Sequence, residues 1–89
     1  MVDAVRYKVD FQEDAISDIE KIDKVIAQRI LDKIKWLSEN FLMMVPQPLK
    51  GKYKGFFKLR VGDWRVIYEF DNHEKTIKIH IVKHRREVY

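Results

Sequence analysis

The chain has 89 residues, enough for one small domain, and its 46% hydrophobic fraction argues against disorder. It contains no cysteine, which excludes a disulfide framework and a thiolate metal site, and no apolar run approaches the ~20 residues of a membrane-spanning helix. The net charge of +4 is unevenly distributed, with −2 over residues 1–45 and +6 over residues 46–89. This distribution is typical of a protein whose basic half binds a polyanion, and also of one that carries a solvated basic surface.

The first predicted element is a strand over residues 4–11, where apolar and polar residues alternate. Side chains on a strand point alternately to opposite faces, so one face of this segment is apolar. We expect a half-buried strand whose inward residues are Val5, Tyr7, Val9 and Phe11.

Two helices are predicted next. The acidic residues 13–14 suit the first turn of one helix, and Asp23 suits the N-cap of another that runs over about residues 24–39. The short turn between them predicts a helical hairpin. Their outward charges, Asp18 and Lys33 among them, mix both signs and predict a solvated face. The apolar stripe of the second helix consists of Ile26, Ile30, Ile34 and Leu37.

The helical pattern ends before Pro46 and Pro48, and we expect an irregular segment over residues 40–48. Its apolar residues 41–44 are expected at the edge of the core, with an exposed patch for a partner as the alternative.

A β-hairpin is predicted over residues 56–70, with a turn at Gly62-Asp63. If its aromatic and aliphatic residues pack inward, Lys58, Arg60 and Arg65 share the opposite face. A further strand is expected over residues 75–83. Its inward residues would be Ile77, Ile79 and Ile81, and its outward residues Lys78, His80 and Val82.

The predicted order is therefore β-α-α-β-β-β, in a single domain over residues 1–89. Sequential strands joined by tight turns are antiparallel, and the helical hairpin can cover only one face of such a sheet. We predict an α+β fold of two layers with a mainly antiparallel sheet, whose uncovered face is basic. No apolar signal-peptide segment is found near the start, and we expect a cytoplasmic protein.

The cations of the second half, with one phenol, are the residues best suited to chemistry. The chain has no glycine-rich phosphate loop, and His80 and His84 would lie roughly 13 Å apart on a strand, too far for one metal ion. Such cations can bind RNA phosphates, and they can also assist attack of an RNA 2′-hydroxyl on the neighbouring phosphate. Catalysis, phosphate binding and a solvated surface all remain open for this set, which comprises Lys58, Arg60, Arg65, Arg85 and Tyr89, with His84 adjacent.

Residues 49–51, 57–68 and 84–89 resemble the RelE/ParE toxin superfamily, and its RelE branch more closely. The stretch Leu-Arg-Val-Gly-Asp-Trp-Arg-Val-Ile-Tyr carries most of this resemblance, which covers nearly the whole chain. It implies the toxin of a type II toxin–antitoxin pair that cleaves mRNA in the ribosomal A site through 2′-OH attack, without a metal or other cofactor. It also implies a cognate RelB-like antitoxin as a partner.

The resemblance implies roles for individual residues. Lys58 matches a family lysine that activates the 2′-OH or binds the phosphate. Arg65 matches the arginine that stabilises the transition state, Arg85 the arginine proposed to protonate the leaving group, and Tyr89 the tyrosine that stacks on the substrate base. Arg60 is expected to support phosphate binding.

The chain departs from the RelE pattern at Phe56, where the best-characterised RelE toxins carry a second lysine. Lys52 or Lys54 in the preceding loop could replace that lysine in substrate binding. Some relatives use a histidine near the C-terminus, which makes His84 an alternative to Arg85 for proton transfer.

Two other functions stay open. ParE toxins share the fold but inhibit DNA gyrase by binding it, without enzymatic activity. A decayed toxin that only binds its antitoxin is the third possibility, for which the Phe56 departure is the reason.

Overall fold

Strands and helices follow one another over residues 6–88, the part of the chain that the computed structural model describes. The strands are β1 (Lys8–Phe11), β2 (Gln47–Pro48), β3 (Phe57–Val61), β4 (Trp64–Asp71) and β5 (Thr76–His84). The helices are α1 (Glu13–Glu20), α2 (Lys24–Asn40) and α3 (Arg85–Val88), with 3-10 turns at Phe41–Met43 and Gly51–Tyr53. The predicted inward residue Val5 and the predicted site residue Tyr89 lie outside the described residues.

The five strands form one sheet in the order β1-β5-β4-β3-β2. Strand β1 runs parallel to β5, and the other neighbours are antiparallel, which confirms the predicted α+β fold. The prediction of an irregular segment over residues 40–48 is wrong for β2, which pairs with Phe57 and Lys58 of β3. This strand has only two residues and ends in Pro48, so it shows no alternation from which a strand could be predicted.

Helix α2 begins where the sequence predicts. The Asp23 carboxylate accepts a hydrogen bond from the N–H of Val25 at 3.1 Å, which confirms the N-cap. Its apolar stripe buries Ile30, Ile34 and Leu37 in one cluster with side chains of β3, β4 and β5. The helices therefore cover one face of the sheet and leave the other uncovered. Within residues 6–88, no helix combines the length and hydropathy that crossing a bilayer requires.

The segment after α2 is only partly at the core. Phe41 is buried, with its ring centroid 4.7 Å from that of Phe70, and Met44 packs against the same cluster. Leu42 and Met43 are instead 61% and 87% exposed, so the core-edge prediction is wrong for these two side chains.

A β-bulge in β5 changes which of its residues face the core. The pairing of β4 with β5 shifts by one residue, so that His80 is the extra residue of the bulge. Beyond His80, Val82 joins the core cluster, and Ile81 lies opposite Ile67 on the uncovered face. The prediction of Ile81 inward and Val82 outward is therefore wrong, whereas the inward residues predicted before the bulge are confirmed.

Candidate active site

Four cations lie at one end of the uncovered face. Arg60 lies opposite Arg65, and Arg65 lies opposite Lys83 on its other side. We call these three residues the cationic row. Lys58 lies two residues from Arg60 along β3 and so shares this face. The orientation follows from their chain neighbours, which face the core: Leu59, Val66 and Val82.

Arg65 is the most buried of these cations, with 6% of its surface exposed. Its Nη1 donates hydrogen bonds to the backbone carbonyls of Gly62 and Trp64, both at 2.9 Å. The hairpin turn that supplies these carbonyls needs a residue with positive φ, and Gly62 has a φ of 60°. The turn therefore holds the guanidinium in place before any ligand arrives, which is the condition for electrostatic stabilisation of a developing charge.

Lys83 is a candidate site residue that the sequence did not reveal. Simple alternation would turn Lys83 to the same side as Ile77, and only the bulge at His80 brings it to the uncovered face beside Arg65. No signal in the sequence marks this bulge.

Asp18 of α1 fixes the position of Lys83. Its Oδ1 accepts a hydrogen bond from Lys83 Nζ at 2.8 Å, and its Oδ2 accepts one from the N–H of Val82 at 2.9 Å. The hydrogen bond to the Asp18 carboxylate raises the pKa of Lys83 and keeps it charged. The prediction that Asp18 lies on a solvated face is wrong, because its carboxylate is buried. It lies at the edge of β5, past the residues of β5 that pair with β1.

Arg85 is tied to the same hairpin turn as Arg65. Its N–H donates to the carbonyl of Asp63 at 2.8 Å, and its Nε lies 3.7 Å from Asp63 Oδ1. The side chain remains 57% exposed and so stays available to a ligand. The structure thus places Arg85 and Arg65 at the same turn.

His84 points elsewhere. Its ring makes an edge contact with Trp64 at 5.4 Å between centroids, and Trp64 packs against the core cluster on the helix-covered side. Its Nδ1 accepts a hydrogen bond from the N–H of Arg86 at 3.3 Å. The structure therefore does not bring His84 to the cationic row, and its predicted role in substrate binding or proton transfer stays a prediction.

The loop before β3 carries the other predicted cations. Lys52 and Lys54 are both exposed there, and Lys52 Nζ lies 5.1 Å from the ring centroid of Tyr53. Phe56, which stands in place of the family's second lysine, stacks on the bulge residue His80 at 4.6 Å and 23°. An aromatic pair therefore occupies the position where a further cation would be expected.

The uncovered face is basic only at one end. Ile67 and Ile81 are buried in its middle. At the opposite end, Lys78 lies between two carboxylates, those of Asp10 and Glu69. The prediction of a basic face is therefore correct only around the cationic row and Lys58, so that a polyanion would be drawn to this end.

A cleft of about 400 Å³ opens beside these cations. Lys58, Arg60 and Arg65 line one side, and Lys33 and Trp36 of α2 line another. The cleft lies at the edge of the sheet where β2 ends, because β2 pairs with β3 only as far as Lys58.

The cationic row and Lys58 can bind an anion and stabilise negative charge. Arg60 and Arg65 lie directly opposite each other, and such a pair of like charges is destabilising on a sheet, a cost that a bound anion would offset. Arginine forks match the oxygens of phosphate. Among residues 6–88 there is no group of three His, Cys, Asp or Glu side chains that could hold a metal ion.

Known proteins with similar sequences and structures are toxins. Residues 9–89 match the family described as the ParE toxin of type II toxin–antitoxin systems, parDE. A RelE-like toxin protein of Escherichia coli is 30% identical to this chain, and the match covers 96% of this chain and 92% of the relative. Toxin RelG of Mycobacterium tuberculosis is 28% identical, and the match covers 93% of this chain and 95% of the relative. The crystal structure of the toxin–antitoxin complex RelBE2 from M. tuberculosis contains a chain with a TM-score of 0.81 and 31% identity, covering 93% of this chain and 95% of that one.

The family match spans nearly the whole chain, and the relatives match over nearly their full lengths. The resemblance inferred from residues 49–51, 57–68 and 84–89 is thereby confirmed. This chain belongs to the RelE/ParE superfamily and is a toxin of a type II toxin–antitoxin system.

Proposed function

We propose that this toxin is a ribosome-dependent endoribonuclease that cleaves mRNA in the A site. The observation that carries the proposal is the cationic row with Lys58 beside it, four cations on one rigid and uncovered sheet face. A phosphate of the RNA backbone would bind between Arg60 and Arg65, where it relieves the repulsion of two opposite cations.

The reaction requires little covalent work from the protein. The 2′-oxygen bonds to the adjacent phosphorus and loses its proton, while the bond from phosphorus to the 5′-oxygen breaks and that oxygen gains a proton. The products are a 2′,3′-cyclic phosphate and a 5′-hydroxyl. In-line orientation and stabilisation of the crowded phosphate charge supply most of the acceleration.

The proposal gives a role to each residue that was predicted to be catalytic. Lys58 orients the 2′-OH and its phosphate, and Arg65, held by the turn, stabilises the transition-state charge. Arg85, which is bound to the same turn, serves the departing 5′-oxygen. Lys83 adds a third charge to the row, and the predicted stacking of Tyr89 on a base completes the set. With so few proton-transfer groups, the ribosome is expected to position the substrate.

The partner proposed for this toxin is a RelB-like antitoxin. The related M. tuberculosis protein was crystallised in a toxin–antitoxin complex. Exposed apolar side chains on the loop between α2 and β2, Leu42, Met43 and Val45, offer the apolar contact area that such a partner would cover. The ribosome and the antitoxin would both be met in the cytoplasm.

Inhibition of DNA gyrase is the second candidate function. It is favoured by the family match, which is to the ParE toxins. A toxin of that kind would need no RNA-cleaving residues, and its cations would serve only to bind protein or antitoxin. A decayed toxin that retains antitoxin binding alone is the remaining alternative, motivated by Phe56.

Primer extension on programmed ribosomes distinguishes these functions. The proposal predicts new mRNA ends within the A-site codon when the toxin is added, and their disappearance when antitoxin is present. No cleavage, together with inhibited supercoiling in a parallel gyrase assay, would identify a ParE-like inhibitor. No effect in either assay would leave the decayed toxin.

A further inference from the structure

Helix α2 contributes two residues to the cleft that the proposed chemistry does not use. Trp36 is 41% exposed and so presents a large apolar surface to solvent. Lys33 Nζ lies 3.9 Å from the centroid of the Trp36 ring, so a cation and an indole are held together. Both line the cleft whose other side is formed by Lys58, Arg60 and Arg65.

The charge of this cleft indicates what it would bind. Of its described lining residues, four are cations and none is a carboxylate. The volume of about 400 Å³ is that of a small-ligand site, which suits one nucleotide better than a helix of a partner protein. Cations that follow a backbone, combined with an aromatic ring on which a base can stack, are the usual elements of single-stranded RNA binding.

We infer that this cleft is a subsite for one mRNA nucleotide adjacent to the cleaved bond. The inference rests on the proposed function, because Lys58 and Arg65 belong both to the cleft and to the proposed active site. The base stacks on Trp36, and Lys33 and Arg60 bind the phosphate that joins this nucleotide to its neighbour. The open edge of β3 allows the RNA strand to pass from the uncovered face around to α2.

The subsite has a consequence for codon preference. Stacking on an indole accepts every base, but a purine offers a larger ring and stacks more strongly. Cleavage is therefore expected to favour a purine at one fixed position relative to the cleaved bond, and Trp36 is the residue that sets this preference.

The first test measures binding without cleavage. A fluorescein-labelled hexanucleotide with 2′-O-methyl groups cannot be cleaved, because it has no free 2′-OH. Its fluorescence anisotropy therefore measures the affinity of binding alone. Trp36→Leu, which keeps an apolar side chain but removes the ring, should weaken binding about tenfold, and Lys33→Gln should weaken it about threefold. Trp36→Phe should recover most of the loss. Lys35→Gln, an exposed lysine of the same helix that does not line the cleft, should leave binding unchanged.

The second test measures A-site cleavage at increasing toxin concentration over ribosomes programmed with different codons. Trp36→Leu should raise the half-saturating concentration about tenfold, change the saturating rate by less than about twofold, and remove the purine preference. Thermal melting should show each variant folded, since Trp36 is a surface residue.

Failure of the inference is separable from failure of the proposed function. Equal binding and equal codon preference for Trp36→Leu and the unaltered protein would overturn the subsite, while cleavage that requires Arg65 would still support the nuclease. If the toxin cleaves nothing, the nuclease proposal fails and the subsite next to a cleaved bond fails with it, and the anisotropy comparison then decides only whether the cleft binds RNA. A Trp36→Leu variant that loses only antitoxin affinity would assign the cleft to the protein partner and overturn the inference.

Discussion

Arg65 and Lys83 occupy directly opposite positions on β4 and β5, although alternation along the sequence places them on different faces. The bulge at His80 brings them together, and Asp18 then holds Lys83 from the edge of the sheet. Arg60 lies opposite Arg65 on the other side. Lys83 is thus paired with a carboxylate, whereas Arg60 and Arg65 bring two like charges directly opposite each other next to a cleft.

The Asp18–Lys83 pair makes a pH-dependent contribution to stability. Asp18→Asn keeps an oxygen for the N–H of Val82 but loses the charge that Lys83 contacts, and we expect a loss of about 1–3 kcal/mol of unfolding free energy at pH 7. Because the pKa of Lys83 is raised in the folded protein, the contribution of the pair is complete below about pH 10.5 and is lost as the pH rises through the folded value. Urea unfolding between pH 7 and pH 11 should show that the difference in stability between the two proteins becomes smaller as the pH rises above about 10.5. A constant difference over this range would contradict the assignment.

Tyr68 carries a buried hydroxyl that meets no hydrogen-bond partner within the described residues. Tyr68→Phe removes this polar atom, so the variant should be equal to the unaltered protein at pH 7 or more stable by up to about 1 kcal/mol. Burial raises the pKa of Tyr68 from 10.0 to about 12. The unfolded chain therefore ionises Tyr68 first, and this residue costs the native protein stability as the pH rises from 10 to 12. Thermal melting at pH 7 and pH 11 should show an advantage of Tyr68→Phe that grows with pH, and a variant that melts lower at both values would contradict this account.

Phe56 can be converted to the residue that the RelE pattern predicts. Phe56→Lys should lower the half-saturating toxin concentration for A-site cleavage about threefold, because it adds a phosphate-binding cation beside Lys58. It should also cost about 0.5–1.5 kcal/mol of stability, because the stack on His80 is lost. Phe56→Leu is the matched control, since it loses the stack without gaining a charge. Lower cleavage by Phe56→Lys than by Phe56→Leu would contradict the gain expected from the added cation, and lower cleavage by both variants than by the unaltered toxin would show that the aromatic pair itself serves the reaction.

The two candidates for protonating the leaving oxygen differ in position. Arg85 lies at the turn that anchors Arg65, whereas His84 contacts Trp64 on the helix-covered side. Arg85→Ala should therefore lower the single-turnover rate about 10²-fold, and His84→Ala should lower it less than about threefold. Single-turnover cleavage at saturating toxin measures both. The reverse order of effects would transfer the role to His84.

The sequence predicted the elements that depend on local pattern. Asp23 and the apolar stripe of α2 were sufficient to predict that helix, and the turn at Gly62-Asp63 was sufficient to predict the pairing of β3 with β4. Lys58, Arg60 and Arg65 could be placed on one face because the alternation of this hairpin is unbroken.

What the sequence could not predict depends on long-range contacts. The bulge at His80 leaves no pattern of its own, so the roles of Ile81, Val82 and Lys83 could not be inferred. The burial of Asp18 depends on β5, which lies 64 residues further along the chain. Trp36 of α2 lines the cleft together with β3 residues that lie beyond the end of the β2 pairing, a contact between elements that are distant along the chain.

The central claim is that the cationic row is an RNA-cleaving site, and the single-turnover rate of A-site cleavage by Arg65→Ala tests it most directly. Lys35→Ala is the control for the loss of a cation outside the site, and thermal melting checks that the loss of the bonds to Gly62 and Trp64 leaves the variant folded. The account predicts a rate about 10²–10³-fold lower for Arg65→Ala, and an unchanged rate for Lys35→Ala. A folded Arg65→Ala protein that cleaves at the rate of the unaltered toxin would contradict it.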